Sequence, residues 1–115
     1  MTVVTFTDNE KSEYVLEVKG HADYTKEEGK DIICAGLSIL FYTLAEILDE
    51  NREMLETLNY EMEKGEGTLI VTPKKEYQGN VQIMFLTVLT GFNLMATNYP
   101  HNVKMVIGRR TEDPS

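Results

Sequence analysis

Cysteine is almost absent from this sequence, since Cys34 is the only one, and no disulfide can form within the chain. A lone cysteine without a signal peptide is typical of a reducing compartment, so we expect a cytoplasmic protein. No segment reaches the ~18 consecutive apolar residues of a membrane span, so we expect no association with a membrane. Histidine is also scarce, and one cysteine with His21 and His101 has no recognised metal-ligand spacing. We therefore expect no metal and no cofactor.

Basic residues are outnumbered, with 11 lysines and arginines against 19 acidic residues and a formal net charge of −8. Binding of nucleic acid needs a basic patch. The only basic doublets are Lys74-Lys75 and Arg109-Arg110, which are typical of solvated loops and tails. We therefore expect no direct contact with nucleic acid, whereas a basic peptide would suit the acidic balance.

Length and apolar content suit one folded domain. The chain has 115 residues, and 42% of them are hydrophobic. A chain of this length buries roughly two-thirds of its extended surface, so it needs no disulfide for stability. We predict a single domain over residues 1–110 and a disordered tail over residues 111–115.

β-branched and aromatic residues concentrate in segments that we interpret as strands. A polar cluster at residues 8–12 separates the first two segments and predicts a hairpin. A glycine-containing turn at residues 64–67 separates the next two and predicts a second hairpin, which Pro73 ends. The last strand precedes Gly108, where we expect a frayed tail to begin. The predicted strands span residues 2–6, 14–18, 58–63, 68–72 and 103–107.

Two segments have apolar residues at helical spacing. The first predicted helix runs from about residue 32 to about residue 53. Asp31 is its expected N-cap, because a carboxylate there accepts a hydrogen bond from a free amide. The second helix runs over residues 81–98 and ends before Pro100. The predicted loops span residues 21–30 and 73–79.

The predicted element order is ββαββαβ, in which strands and helices do not alternate strictly. A doubly wound parallel sheet is therefore disfavoured, and the order predicts an α+β fold. We expect a two-layer sandwich in which both helices pack on one mainly antiparallel sheet.

Cys34 and His21 are the residues with the clearest catalytic chemistry. A thiol attacks as its thiolate, which the free amides and the dipole of a helix start favour. We expect Cys34 in the first turn of the first helix, where the same amides would stabilise an oxyanion. His21 ends a predicted strand and is a candidate general base if the loop folds it onto Cys34. Gly20 and Gly29 flank that loop and give it room to hinge.

The residues alone leave other roles open. A free cysteine is often a buried packing residue, and a lone histidine at a strand end is commonly a surface polar group. A single Cys/His pair is a weak signature of catalysis. A redox-sensing thiol is a third alternative, although the sequence has no resolving cysteine.

A motif around both residues resembles a known signature. It consists of Gly-His-Ala at residues 20–22, Gly29, and Asp-Ile-Ile-Cys-Ala-Gly-Leu-Ser at residues 31–38. The ribosomal-processing cysteine protease family (Prp, YsxB-like proteins) has a Gly-His-Ala element, a glycine-bearing loop, and Asp-Ile-Val-Cys-Ala-Ala-Val-Ser at the start of a helix. The chain resembles this family in size and element order as well.

The resemblance implies a cytoplasmic, homodimeric cysteine endopeptidase with a protease-like domain. Such a protease trims the N-terminal extension of a large-subunit ribosomal protein after a Phe-Phe pair, and the partner would be that basic N-terminus. Cys34 would be the nucleophile and His21 the general base. Asp31 and Ser38 also match motif positions: we assign Asp31 to helix capping and loop positioning, and Ser38 to a hydrogen bond within the site.

The sequence departs from the family pattern in the loop between histidine and cysteine, which is one residue longer around residues 25–28. A longer loop would alter the substrate cleft, and a phage capsid-type protein is the alternative substrate. The competing function is a non-catalytic dimeric protein-binding module in ribosome or capsid assembly, in which Cys34 would be a packing residue.

Overall fold

The computed structural model describes residues 1–9, 13–20 and 30–110 of the chain. Five strands and two long helices follow one another in the order ββαββαβ, as predicted. Short 3-10 helices precede β3 and α2. The elements are β1 (Thr2–Asn9), β2 (Tyr14–Lys19), α1 (Lys30–Glu50), β3 (Leu55–Glu63), β4 (Glu66–Pro73), α2 (Gln78–Asn98) and β5 (Val103–Arg110).

The strands form one sheet in the order β3-β4-β2-β1-β5. The pairs β3–β4, β4–β2 and β2–β1 are antiparallel, and only β1–β5 is parallel. The parallel pair follows from α2, which carries the chain across the sheet from β4 to the far side of β1. The mainly antiparallel α+β sandwich is therefore confirmed.

Both helices cover the same face of the sheet. The ring of Phe85 in α2 lies 5.3 Å from the ring of Phe6 in β1 and 5.3 Å from that of Tyr14 in β2. Phe41 in α1 packs so closely on β4 that a Cβ on Gly67 would lie 2.9 Å from its ring. Each such aromatic or aliphatic side chain stabilises the fold by roughly 1.5–3 kcal/mol when fully buried. The largest fully buried side chains are Phe41, Phe85, Phe92, Leu16, Leu44, Leu48 and Leu69.

The bounds of α1 differ from the prediction at both ends. The helix begins at Lys30, so Asp31 lies inside its first turn and the predicted N-cap position was wrong. It ends at Glu50, where the side-chain amide of Asn51 donates to the carbonyl of Ile47 at 2.8 Å and its backbone amide donates to that of Leu48 at 3.1 Å, so that two of the terminal carbonyls are satisfied. The predicted loop at residues 21–30 lies outside the described residues except for Lys30.

α2 and all five strands are longer than their side-chain patterns indicated. β3 begins at Leu55 and β4 spans Glu66–Pro73, so the predicted turn at residues 64–67 is only two residues long. The predicted loop at residues 73–79 was wrong in its second half, because a 3-10 turn over Lys75–Tyr77 leads directly into α2 at Gln78. The predicted turn at residue 8 and the predicted tail at residue 108 were also wrong. β1 and β5 pair in parallel as far as Asn9 and Arg110, since backbone pairing does not require apolar side chains. The predicted tail at residues 111–115 lies outside the described part of the chain.

Both helices are long and apolar enough to cross a membrane by length and composition alone, over Ile32–Glu50 and Lys75–Asn98. The core helices of a soluble protein meet the same criterion. Here each helix has one face packed on the sheet and one face with exposed apolar side chains. The exposed apolar faces are candidate surfaces for association with another molecule.

Candidate active site

Cys34 is half-buried in α1, with the buried side chains of Ile33 and Leu37 on the sheet side of the same helix. Because α1 begins at Lys30, Cys34 is its fifth residue and its amide belongs to the helical hydrogen-bond ladder. The expectation that Cys34 lies in the first turn was therefore wrong by about one residue. Side chains on a helix lean toward its N-terminus, so the thiol still tends toward the unpaired amides of that turn.

A small, partly open cavity of about 20 Å³ adjoins Cys34. A cavity of this size holds one water molecule and no side chain. It brings together three of the residues that the sequence singled out, namely Gly20, Cys34 and Ser38. Among the residues that the structure describes, the lining consists of Thr2, Val18, Gly20, Cys34, Leu37, Ser38, Met62 and Gly65.

Gly20 follows the end of β2 and is contacted by Met1, Thr2 and Glu66. Its φ is +92°, and a Cβ at this position would lie 2.6 Å from the carbonyl oxygen of Met1. The Thr2 hydroxyl donates to the carbonyl of Gly20 at 2.8 Å, and the Gly20 amide donates to Oε2 of Glu66 at 3.4 Å. The structure thus requires glycine for close approach and a left-handed backbone, a different reason from the hinge that we predicted.

Ser38 lies one helical turn after Cys34 and is half-buried at the same cavity. This position agrees with a hydroxyl that serves the site. Its predicted hydrogen bond to a site residue stays a prediction.

His21 and Gly29 lie outside the described residues, and so does the side chain of Asp31. The predicted approach of His21 to Cys34 therefore stays a prediction. His21 is nevertheless bonded to Gly20, and Gly20 lines the cavity beside Cys34.

Sequence reasoning missed Thr2, Met62 and Gly65 as residues of this region. Met62 and Gly65 come from the tip of the β3–β4 hairpin, where Lys64 and Gly65 both have positive φ, as a type I′ turn requires. The glycine-containing turn predicted the hairpin, but it did not predict which residues would lie beside the tip of the hairpin. The sequence identified Thr2 only as a strand residue. Its contact with Gly20 depends on the register between β1 and β2, which the sequence does not show.

Metal chemistry has no candidate ligands in the described part of the chain. Over residues 1–9, 13–20 and 30–110, no three His, Cys, Asp or Glu side chains group closely enough to hold a metal ion.

Comparison with known proteins places the chain among proteases. The family model described as cysteine protease Prp matches residues 1–104. No curated protein matches the chain significantly in sequence.

Solved structures share the fold. SMU.848 from Streptococcus mutans is 27% identical, with a TM-score of 0.73 and 96% of each chain covered. The essential ribosomal processing protease Prp from S. aureus, in complex with a substrate peptide, is 20% identical, with a TM-score of 0.70 over 93% of this chain and 99% of that chain. The same protease with a covalently linked product peptide is 21% identical, with a TM-score of 0.69 and the same coverage.

The matched residues begin with β1, include the Cys34 motif and both helices, and end within β5. Because the family model covers nearly the whole chain, this protein belongs to the cysteine protease Prp family.

Proposed function

We propose that this protein is an endopeptidase that trims the N-terminal extension of a large-subunit ribosomal protein, with Cys34 as nucleophile and His21 as general base. The observation that carries the proposal is the shared cavity: Cys34 and Gly20 line it together, and Gly20 precedes His21 in the chain. The S. aureus protease of the same fold is a ribosomal processing protease with a covalently linked product peptide, which supports a covalent mechanism.

The proposed reaction has two stages. The imidazole of His21 takes the proton of the Cys34 thiol, and Sγ forms a bond to the scissile carbonyl carbon. The C–N bond then breaks, the amine leaves with the proton from the imidazolium, and a thioester to Cys34 remains. Water attacks the thioester while the imidazole takes its proton, and the carboxylic acid leaves as the thiol is restored. Unpaired amides in the first turn of α1 would stabilise the oxyanion in both stages.

Charge supports a basic substrate. The chain carries a formal net charge of −8, so a lysine- and arginine-rich N-terminus would be attracted over distances of about one Debye length, ~8 Å at physiological ionic strength. We propose the cytoplasm as the compartment, because the mechanism needs Cys34 as a free thiol and the substrate is a ribosomal protein.

The test is cleavage of two peptides, followed by mass spectrometry. One peptide is a ribosomal-protein N-terminus that contains Phe-Phe, and the other is a phage capsid-type peptide of equal length. We expect the unaltered protein to cut the ribosomal peptide after Phe-Phe, and Cys34→Ala to leave it whole. Thr43→Ala, an exposed change two turns further along α1, is the matched control and should cut normally.

Other outcomes separate the alternatives. Cleavage of the capsid peptide alone would reject the ribosomal substrate and retain the protease. Two intact peptides together with tight binding of either would favour the non-catalytic binding module. Equal cleavage by Cys34→Ala and the unaltered protein would reject Cys34 as nucleophile.

We also propose that the protein is a homodimer and that the outer face of the helical layer is its interface. Large apolar side chains are exposed there, and α2 has no charged residue along its 21 residues. Exposed apolar surface of this extent marks interaction sites. A groove between the helices is lined by Ala35, Gly36, Ile39, Leu40, Gly91 and Met95. The large side chains at least 47% exposed on this face are Ile32, Ile39, Tyr42, Ile83, Leu86 and Leu94.

Charge and size favour a second copy of the chain as the occupant of this face. Two copies with a formal charge of −8 each repel one another, so contact is least unfavourable along α2 and residues 32–45 of α1, which carry no charged side chain. Glu46 and Glu50 lie at the C-terminal end of α1. Two helices of 21 residues, each about 30 Å long and spaced about 10 Å apart, present a face about 20 Å wide. That face covers on the order of 600 Å², the lower limit of the roughly 600–1,000 Å² per partner that standard stable interfaces bury.

Sedimentation equilibrium tests the interface. We expect twice the monomer mass for the unaltered protein and the monomer mass for Ile39→Glu, because a carboxylate at the groove would be buried without a partner. Ile107→Glu is the matched control, since Ile107 is 66% exposed but lies on β5. A monomeric unaltered protein, or a dimeric Ile39→Glu, would reject this interface.

A further inference from the structure

Thr2 is a buried polar residue at the start of β1, with 5% of its surface exposed. Its hydroxyl donates to the carbonyl of Gly20 at 2.8 Å, and its backbone amide donates to the carbonyl of Asn102 at 2.8 Å. A buried hydroxyl is unfavourable unless it is hydrogen-bonded. The bond to Gly20 thus satisfies the hydroxyl, and it joins the first strand to the end of β2.

The carbonyl that Thr2 binds belongs to the peptide unit that continues into His21. Because a peptide bond is planar, the orientation of the Gly20 carbonyl sets the orientation of the peptide group that continues the chain. Glycine has the widest backbone freedom of any residue, so without an anchor this plane would rotate easily about the Gly20 Cα–C bond. The Thr2 hydroxyl opposes that rotation.

Glu66 contacts the other side of Gly20, but its contribution is smaller. Its carboxylate accepts from the Gly20 amide at 3.4 Å on the exposed surface, beyond the usual 2.7–3.2 Å range of N–H···O bonds. Moreover, the Gly20 amide belongs to the peptide unit that precedes Gly20, not the one that leads to His21. The shorter, part-buried 2.8 Å bond from Thr2 is therefore the one that sets the plane.

The anchored plane lies beside the nucleophile. Thr2 and Gly20 line the cavity of about 20 Å³ together with Cys34 and Ser38. A rotation of the Gly20 carbonyl would therefore change both the direction in which the chain leaves β2 and the polar lining next to the thiol.

We propose that Thr2 is a positioning residue of the active site, whose hydroxyl fixes the peptide plane between Gly20 and the general base. This inference rests on the proposed function, since Thr2 acts on catalysis only through His21. It assigns a role to a residue outside the Gly-His-Ala and Asp-Ile-Ile-Cys segments.

The test compares hydroxyl removal on the two faces of β1. Thr2→Val removes the hydroxyl and keeps the shape of the side chain, whereas Thr2→Ser keeps the hydroxyl. Thr5→Val is the matched control, because Thr5 lies on the same strand with the opposite side-chain direction. For each variant kcat and KM are measured on the ribosomal peptide at a temperature where circular dichroism shows the protein folded.

Alkylation of Cys34 by iodoacetamide at pH 6.5 supplies a second readout that needs no substrate. Misplacement of a catalytic group by about 1 Å lowers the rate on the order of 100-fold. We expect Thr2→Val to lower kcat by about 10- to 100-fold with KM within about twofold, and to slow alkylation in parallel. Thr2→Ser and Thr5→Val should stay within about threefold of the unaltered protein in both measurements.

Several results would overturn the proposal. One is a folded Thr2→Val whose kcat and alkylation rate equal those of Thr5→Val. Another is a Thr2→Ser whose kcat and alkylation rate fall as far as those of Thr2→Val. If Thr2→Val is unfolded, Thr2→Ala is used in its place, and unfolding of both would assign Thr2 to overall stability instead. If the unaltered protein cuts neither peptide, the proposed function is rejected. If, in addition, Cys34 is alkylated at the same rate in Thr2→Val as in the unaltered protein, the role of Thr2 is rejected as well.

Discussion

At the scale of single residues, Gly20 shows how the fold constrains the site. Its left-handed φ of +92° and the approach of the Met1 carbonyl exclude any other residue without movement of the backbone. The glycine of the Gly-His-Ala element thus has a physical reason that is independent of catalysis. It lets the first strand lie against the chain just before His21.

Gly20→Ala should therefore destabilise the protein by about 1–3 kcal/mol, because it combines a strained backbone with a Cβ 2.6 Å from a carbonyl oxygen. Urea unfolding monitored by circular dichroism measures the change. Gly79→Ala is the matched control: no atom lies within 4 Å of its added Cβ, and Gly79 is in α2. Alanine there should stabilise the helix by about 0.4–1 kcal/mol. A Gly20→Ala protein as stable as the unaltered one would contradict the geometry.

Tyr14 gives a residue-scale prediction about alkaline pH. Burial, and secondarily the negative charge of Asp8, raise the pKa of Tyr14 above its ordinary value of about 10. Between the unfolded and the folded pKa the unfolded state binds fewer protons, so this contribution to stability is present below about pH 10 and is lost as pH rises further.

We expect the free energy of unfolding to fall less steeply above pH 10 for Tyr14→Phe than for the unaltered protein. Tyr99→Phe, at a position 39% exposed, controls for removal of a phenol and should follow the unaltered curve. Parallel curves for all three proteins would show that the Tyr14 phenol titrates alike in both states.

At the scale of elements, periodicity predicted every strand and both helices, because apolar spacing determines which face is buried. It failed at their ends. The hydrogen bonds of Asn51 cap the end of α1, and the length of β5 follows its parallel register with β1. Neither property is a pattern of apolar residues, so neither was visible in the sequence.

The same distinction applies to the site. Gly20, Cys34 and Ser38 were predicted because they lie in one motif of the chain, and the structure places all three at one cavity. Thr2 and Met62 were not predicted, because strands distant in sequence bring them there. The sheet order β3-β4-β2-β1-β5 places β2 between β4 and β1, so the end of β2 meets both the hairpin tip and the N-terminal strand.

At the scale of the whole molecule, charge and apolar surface are separated. The chain is strongly acidic, yet α2 contains no charged residue and exposes apolar side chains. This separation leads to the proposed dimer, in which the apolar faces meet while the remaining charges of the two copies repel each other.

Added salt should therefore strengthen the dimer. Raising sodium chloride from 50 to 500 mM shortens the Debye length from roughly 14 Å to roughly 4 Å and screens the repulsion between the two copies. We expect the dimer dissociation constant from analytical ultracentrifugation to fall over this range. A marked rise would indicate an interface held by ion pairs instead of the apolar helical face.

Cleavage of the Phe-Phe peptide by His21→Ala, with and without added imidazole, tests the Cys34–His21 dyad most directly. Loss of a general base typically lowers the rate by about 100- to 10,000-fold, and free imidazole should restore part of it by replacing the missing base. His101→Ala removes the other histidine, which lies in an exposed turn before β5, and should cut at the normal rate. Cleavage by His21→Ala as fast as by His101→Ala would contradict the Cys34–His21 mechanism.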